Sequence, residues 1–297
     1  RGGAAPSPLR GSPPGFFGQV KAPGSVLIFI ACRRWQGYGA PIAEGKTKAA
    51  KADKGSAVTG GIALERAGYS VQGRVILTDI TLRLQEHRIG VIGPNGSGKS
   101  TLLRLLAGLI VPGVGRVRVD GLDPAQDRKA ALTRLGILFQ NPDHQILFPT
   151  VDEELAFGLR QLGHSPAVAR ARVQAVLGRY GLLSWSGQAV AGLSQGQRQF
   201  LCLLAVLAME PETILLDEPF AALDLPTRLR MTRVLAGLSQ RLITISHDPE
   251  AVAAADRVIW LEAGRVHADG PAAQVLPAFR AEMARRGASD ADADLPV

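Results

Sequence analysis

Cysteine is nearly missing from this 297-residue chain, with Cys32 and Cys202 as its two thiols. So few, so far apart, they make neither a disulfide framework nor a metal-ligand spacing, which points to a reducing compartment. Long hydrophobic runs are missing too. The longest, Val26–Cys32 (VLIFIAC) and Phe200–Met209 (FLCLLAVLAM), fall well short of the roughly 20 residues that span a bilayer. The second reads as a buried helix. The first is short for the apolar part of a signal peptide and is followed by Arg33-Arg34 in place of a small-residue cleavage site, so secretion is not expected. Lysine is scarce after residue 60: Lys99 and Lys129 occur there, and arginine supplies the other positive charges.

Charge of one sign is also lacking once the leading segment is set aside. The net charge of +8 suggests a nucleic-acid or membrane-surface binder until it is located. Residues 1–60 hold nine Lys/Arg against Glu44 and Asp53, whereas the remaining chain holds 25 basic and 24 acidic residues. The rest of the chain therefore carries no electrostatic footprint for nucleic acid. Residues 1–60 are rich in Gly, Pro, Ala and Ser without sustained periodicity. They read as a disordered extension or a start-site artefact. Gly287–Val297 (GASDADADLPV) reads as a mobile acidic tail. Residues 61–286 remain, and 46% hydrophobic residues overall can fill a substantial core.

Within that span, alternation and helical spacing trade places. Ile80–Gln85 alternates as a half-buried strand and Arg88–Gly93 is a short apolar one. Leu102, Leu105, Leu106 and Leu109 recur at helical spacing. Arg116–Gly121 alternates and ends in an Asp-Gly turn. Leu135–Phe139, Thr213–Asp217 and Leu242–Ser246 have the continuous apolar character of parallel strands. Pro166–Tyr180 and Thr227–Leu238 supply helices. The pattern predicts an α/β domain with an antiparallel portion near its start.

Gly93–Thr101 (GPNGSGKST) follows an apolar strand and opens a helix, the context a Walker A phosphate loop requires. The glycines Gly93, Gly96 and Gly98 let the backbone N–H groups of Asn95, Ser97 and their neighbours converge on phosphates, and the helix N-terminus adds favourable dipole charge. Lys99 is placed to bridge phosphates, Ser100 to ligate Mg²⁺, and Thr101 to extend the cradle. A Gly-rich turn with an incidental lysine is the plain alternative. The scarcity of lysine after residue 60 argues against it, because the one position that needs a compact ammonium has one. Thr213–Pro219 (TILLDEP) has the Walker B form: Asp217 would hold Mg²⁺ and Glu218 polarise the attacking water. Alone, two acids after a strand are a solvated strand end. With a phosphate loop upstream they are a site.

Leu193–Phe200 (LSQGQRQF) introduces an apolar helix, with Ser194 as N-cap and Gly196 open to a ligand. Seen alone it would be a capped core helix. With the other motifs it resembles the signature of ATP-binding-cassette (ABC) ATPases, and the resemblance covers about Gly61–Arg286. It implies a mainly parallel, RecA-like P-loop sheet with an antiparallel β subdomain and a helical signature subdomain. It also implies ATP with Mg²⁺, and roles for single residues. Tyr69 would stack on adenine, Gln140 would be the Q-loop glutamine near Mg²⁺, Asp224 would sit in the D-loop, and His247 would be the switch histidine. Two cassettes would pair head to tail, so that Ser194, Gly196 and Gln197 complete the partner's site. Gln195 departs from the glycine of many members, and tolerance is expected there.

Phe139–Gly158 (FQNPDHQILFPTVDEELAFG) resembles the Q-loop region of energy-coupling-factor (ECF) importer ATPases, through Asn141, Pro142, Asp143 and Gln145. That resemblance implies a peripheral position at the cytoplasmic face of the plasma membrane and a transmembrane coupling protein docking near Gln140–Gly158. It also implies a separate substrate-binding membrane protein. Glu86–Gly93 and Leu193–Gln197 look most like biotin-importer ATPases, with cobalt or nickel import as the alternative. A soluble two-cassette ATPase of translation or repair would show a second cassette or heptads; an interaction module would lack Lys99, Glu218 or His247.

Overall fold

A computed structural model describes residues 60–291, the last three by backbone alone. Most of the basic leading segment and the end of the acidic tail, from 292, lie outside the described residues.

Two sheets share one core. The first is antiparallel, in the order β2-β1-β4, from β1 (Ile62–Val71), β2 (Arg74–Leu84) and β4 (Val114–Val119). The expected Asp-Gly turn closes β4: Asp120 and Gly121 both have positive φ, and Val119 and Leu122 exchange hydrogen bonds across them. The second sheet has the order β5-β6-β7-β3-β8-β9. It contains β3 (Arg88–Ile92), β5 (Leu135–Leu138), β6 (Thr213–Asp217), β7 (Arg241–Ser246), β8 (Arg257–Glu262) and β9 (Arg265–Gly270). Its first five strands run parallel and β9 pairs antiparallel with β8. The parallel strands read as continuous apolar runs because both faces are covered, and all five residues of β6 are buried.

Three apolar clusters hold the layers together. One joins Ile62, Leu64, Leu77 and Leu82 of the antiparallel sheet to Val91, Leu215 and Ile243 through α1 (Lys99–Leu106). A second is helical, built by α3 (Val151–Gln161), α4 (Pro166–Arg179) and α5 (Gln195–Ala208) against Leu138, Ile214 and Leu216. Full burial of each such side chain contributes about 1.5–3 kcal/mol. The third seats α7 (Ala272–Ala291) on β8 through Trp260, Val275, Leu276 and Phe279. Two further helices, α2 (Arg128–Arg134) and α6 (Leu225–Ala236), precede β5 and β7. The α/β expectation with an early antiparallel portion holds. The hairpin β8–β9 goes beyond the expected elements, and α7 runs past Arg286.

The acids after Pro149 act locally. Thr150 caps α3 by accepting from Glu153 N–H, and Asp152 accepts from Ser186 Oγ and Gly187 N–H at 2.9 and 2.8 Å. Glu154 is 5% exposed and accepts from Leu147 and Phe148 N–H at 2.8 and 3.0 Å; burial pushes its carboxyl above the ordinary range. Because Glu154→Ala strands two backbone donors, it should cost about 2–3 kcal/mol, whereas Glu154→Gln, which keeps one acceptor oxygen, should cost less. Urea denaturation of the two variants checks the order, and equal stabilities would show the N–H groups find other partners.

Candidate functional site

The parallel register delivers four motif ends to one edge of the sheet. Ile92 pairs with Ser246 and Asp217 with Ile245, so Gly93 emerges beside His247 and Glu218 beside Ser246. Leu138 pairs with Leu216, which puts Gln140 just beyond the same edge, where it is exposed. Ligands of parallel α/β sheets bind at the carboxyl ends of the strands for this reason.

The Gly93–Thr101 loop is a backbone cradle. Ser97 N–H donates to Pro94 O at 3.2 Å, and Gly98, which precedes α1, has φ +101°. A side chain at Gly98 would also lie 2.7 Å from Leu77 Cδ2 of β2. Lys99 is 8% exposed and donates from Nζ to Gly93 O at 2.7 Å and Pro94 O at 3.0 Å. Burial lowers its pKa, against the opposing pull of Glu218 and Asp217. Asn95, Gly96 and Ser100 are exposed and Thr101 half-buried. Ser97 is 2% exposed, and its Oγ has no hydrogen-bond partner among the described residues. Tyr69 is half-buried on β1 opposite Leu77, the residue that abuts Gly98, and packs against the apolar cluster that Leu77 enters.

The acids at the end of β6 divide their work. Asp217 is 9% exposed; burial first, then the neighbouring Glu218 charge, raises its carboxyl to about 6, with Arg104 and Lys99 acting the other way. Glu218 continues the pairing with its N–H on Ile245 O at 2.8 Å, but its φ of +46° turns the chain. Its carboxylate accepts from Ser246 Oγ at 2.7 Å and from His247 N–H at 2.8 Å, and lies 2.8 Å from His247 Nδ1. Motif reasoning missed Ser246, which only the parallel register places there. The His247 side chain is 60% exposed. It lines a cavity of 370 Å³ with Gly93, Pro94, Asn95, Pro249, Phe279, Arg280 and Met283.

A second support was also missed. The β8–β9 turn, Ala263-Gly264, has positive φ at both residues. Gly264 N–H donates to Ser97 O at 3.1 Å, and its carbonyl accepts from Thr78 N–H at 2.8 Å. The turn thus pins the phosphate loop to β2. Its Ala-Gly sequence keeps the glycine of such turns but lacks the Asn, Asp or Gly before it, so the local signal is weak.

Ser194, Gly196 and Gln197 form a unit at the start of α5 and do not line the cavity beside Asn95. Ser194 is the N-cap expected of it, in a full capping box: Ser194 Oγ accepts from Gln197 N–H and Gln197 Oε1 from Ser194 N–H. The glycine at 196 has a packing reason as well, since a side chain there would meet Thr227 of α6 at 3.1 Å. Gln195, the departure from the usual signature, is exposed. Asp224 caps α6, accepting from Thr227 N–H at 3.2 Å.

The Ser100 hydroxyl, the Asp217 carboxylate and the Gln140 amide are hard oxygen donors, the kind that suits Mg²⁺. No cluster of three His, Cys, Asp or Glu suited to a metal occurs among the described residues. No described helix is long and apolar enough to cross a membrane.

Comparison with known proteins agrees with this geometry. A family model described as ABC transporter matches residues 77–221. The biotin transport ATP-binding protein BioM of Rhodobacter capsulatus is 53% identical over 232 residues, 77% of this chain and 97% of that protein. The solved structure of cbiO1 from Clostridium perfringens, part of the ABC transporter complex cbiONQ, is 28% identical, with TM-score 0.64 over 73% of this chain and 90% of that one. A dimeric post-hydrolysis state of the cassette MJ0796, bound to ADP and Pi, is 26% identical, with TM-score 0.63 over 71% and 98%. A phosphate loop, an acid pair and a histidine on one sheet edge, with this identity along nearly the whole of a relative, place the chain in the ABC transporter family, among its ATP-hydrolysing subunits.

Proposed function

We propose that this chain energises an ECF-type importer of biotin, hydrolysing ATP in a cassette dimer at the cytoplasmic face of the membrane. The observation that carries the substrate is the 53% identity with a biotin transport ATP-binding protein over 97% of its length. The Asn141-Pro142-Asp143 stretch with Gln145 supports the ECF type. The partners are a second cassette, a transmembrane coupling protein docking near Gln140–Gly158, and a substrate-binding membrane protein.

In this reading Tyr69 stacks on adenine, and the Gly93, Asn95, Gly96, Ser97, Gly98 and Thr101 backbone receives the phosphates. Lys99 turns its ammonium from the Gly93 and Pro94 carbonyls to the β- and γ-phosphate oxygens. Ser100, Gln140 and Asp217 would hold Mg²⁺, which would supply charge neutralisation for the phosphates. Glu218 takes up and orients the attacking water, and His247, held by the same carboxylate, faces the γ-phosphate. The capping box uses the Ser194 oxygen as an acceptor and leaves its O–H to donate into the partner's site, beside Gly196 and Gln197. Asp224 faces the same interface.

Glu218→Gln should abolish turnover and trap an ATP-bound dimer, read by size-exclusion chromatography with Mg-ATP; hydrolysis at the native rate would sink the catalytic assignment. The acid beside it makes a pH prediction. A carboxyl raised to about 6 contributes stability that is complete below its unfolded value of 3.8 and is lost as pH rises through 6. Nucleotide-free Asp217→Asn should therefore be more stable than the native chain at pH 8, by on the order of 2 kcal/mol, with the gain vanishing towards pH 4. Thermal unfolding across that range checks it; a pH-independent difference would contradict the buried charge. Capture of the full chain from its own membranes in mild detergent should bring down a transmembrane protein and a biotin-binding membrane protein. A nickel- or cobalt-binding protein in that place would overturn the substrate.

A further inference from the structure

The turn after His247 is gripped from both sides by arginines that the nucleotide site does not use. On one side Arg228 of α6 donates from Nη2 to Asp248 Oδ2 at 2.9 Å. Asp248 Oδ1 accepts from Glu250 N–H at 2.9 Å, and Asp248 N–H donates to Ser246 Oγ at 3.1 Å. The same Ser246 hydroxyl donates to Glu218. On the other side Arg280 of α7 pairs with Glu250 Oε1 and lines the cavity that holds Asn95 and His247.

Both arginines stand on firm ground. Phe279, next to Arg280, is 3% exposed and packs edge-on against Trp260 at 5.2 Å. Its cluster includes Ile92, from which the phosphate loop leaves β3, and Val252, which ends the turn after His247. Arg228 lies one helical turn after the Asp224 cap, with its guanidinium 5.5 Å from the Phe220 ring centroid.

These pairs are too exposed to matter much for folding. The Arg280 and Glu250 side chains are 48% and 66% exposed, and Arg228 and Asp248 37% and 35%. Such pairs contribute roughly 0–1 kcal/mol to stability. Rate is more sensitive to position, because a misplacement of about 1 Å in a reacting group costs up to about 100-fold. An exposed histidine, held through one carboxylate, depends on its own loop for that position.

We propose that Arg228 and Arg280 are positioning residues for His247: together they fix the Asp248–Glu250 turn between α6 and α7 and so hold the imidazole against Glu218. The proposal rests on the reading of Glu218 and His247 as the hydrolytic pair. It makes the seating of α7, and of the helix that Asp224 caps, a condition for a competent site.

The test uses the full chain and three readouts: steady-state ATPase kinetics, thermal unfolding, and the His247 ring resonance in a proton–carbon correlation spectrum, identified by its loss in His247→Ala. Arg280→Ala and Glu250→Gln should each lower kcat roughly tenfold, leave KM for ATP within about twofold, and shift the His247 resonance at unchanged melting temperature. The double variant should lose no more than either single one, and the exchange of Arg280→Glu with Glu250→Arg should recover most of the rate. Arg228→Lys, which keeps the charge but not the fork, should give an intermediate loss. An unchanged kcat in Arg280→Ala, or a loss that follows a lower melting temperature with the His247 resonance unmoved, would overturn the proposal. If His247→Ala turns over ATP at the native rate, the hydrolytic reading itself fails; an impaired His247→Ala beside an unimpaired Arg280→Ala defeats only the positioning role.

Discussion

The parallel register of β3, β7 and β6 is the constraint on which the site depends. Ile92 opposite Ser246 and Ile245 opposite Asp217 set the phosphate loop, the histidine and the two acids at one level. A slip by one residue would turn every side chain of a strand to the other face. The slip is prevented by burial on both sides, since Val91 and Ile243 enter one apolar cluster while Leu216 and Leu242 enter another. Apolar packing thus fixes chemistry it never touches. The antiparallel sheet adds a brace from outside, through Leu77 against Gly98 and Thr78 against Gly264.

Sequence reading recovered what carries a local signature. The Gly93–Thr101 loop, the apolar strands, the Ser194 cap and the Asp120-Gly121 turn each follow from residue types at fixed spacing, and each stands where expected. Contacts made between distant segments escaped it. Ser246 looked like the end of a strand until register put its hydroxyl on Glu218. The Ala263-Gly264 turn has positive φ at both residues, with its glycine alone to advertise it. Helix α7 carries Pro277 in its interior and lacks a clean apolar stripe, so its role as a wall of the cavity was visible only once Phe279 was seen against Trp260.

The stretch from Gln140 to Gly158 shows the same division. Its polar residues read as a surface for a partner, and several of them also act as internal fasteners. Gln145 accepts from Phe139 N–H and donates to Ile137 O, holding the end of β5. Asp143 pairs with Arg198, and Gln199 donates to Phe139 O at 2.9 Å. Arg198 and Gln199 lie in the first turns of α5, which Ser194 caps. The Gln140–Gln145 segment and the first turns of α5 are therefore built as one packed piece.

Local strain and unmet polarity collect on the same edge that the register creates. Burial raises the Asp217 carboxyl to about 6, Lys99 is buried on two carbonyls, Ser97 Oγ has no partner among the described residues, and Glu218 sits at φ +46°. Each feature destabilises the nucleotide-free fold by an amount that elsewhere would have been removed by a better-fitting residue. Away from that edge, helices are capped at Thr150, Ser165, Ser194 and Asp224. Strain and unmet polarity on a sheet edge that also carries the phosphate loop mark that edge as a place shaped by a ligand. Polyphosphate oxygens would give Lys99 charged acceptors in place of the Gly93 and Pro94 carbonyls, and would give acceptors to the loop N–H groups. Nucleotide binding therefore relieves a cost already built into the fold, and part of its stabilising effect comes from that relief.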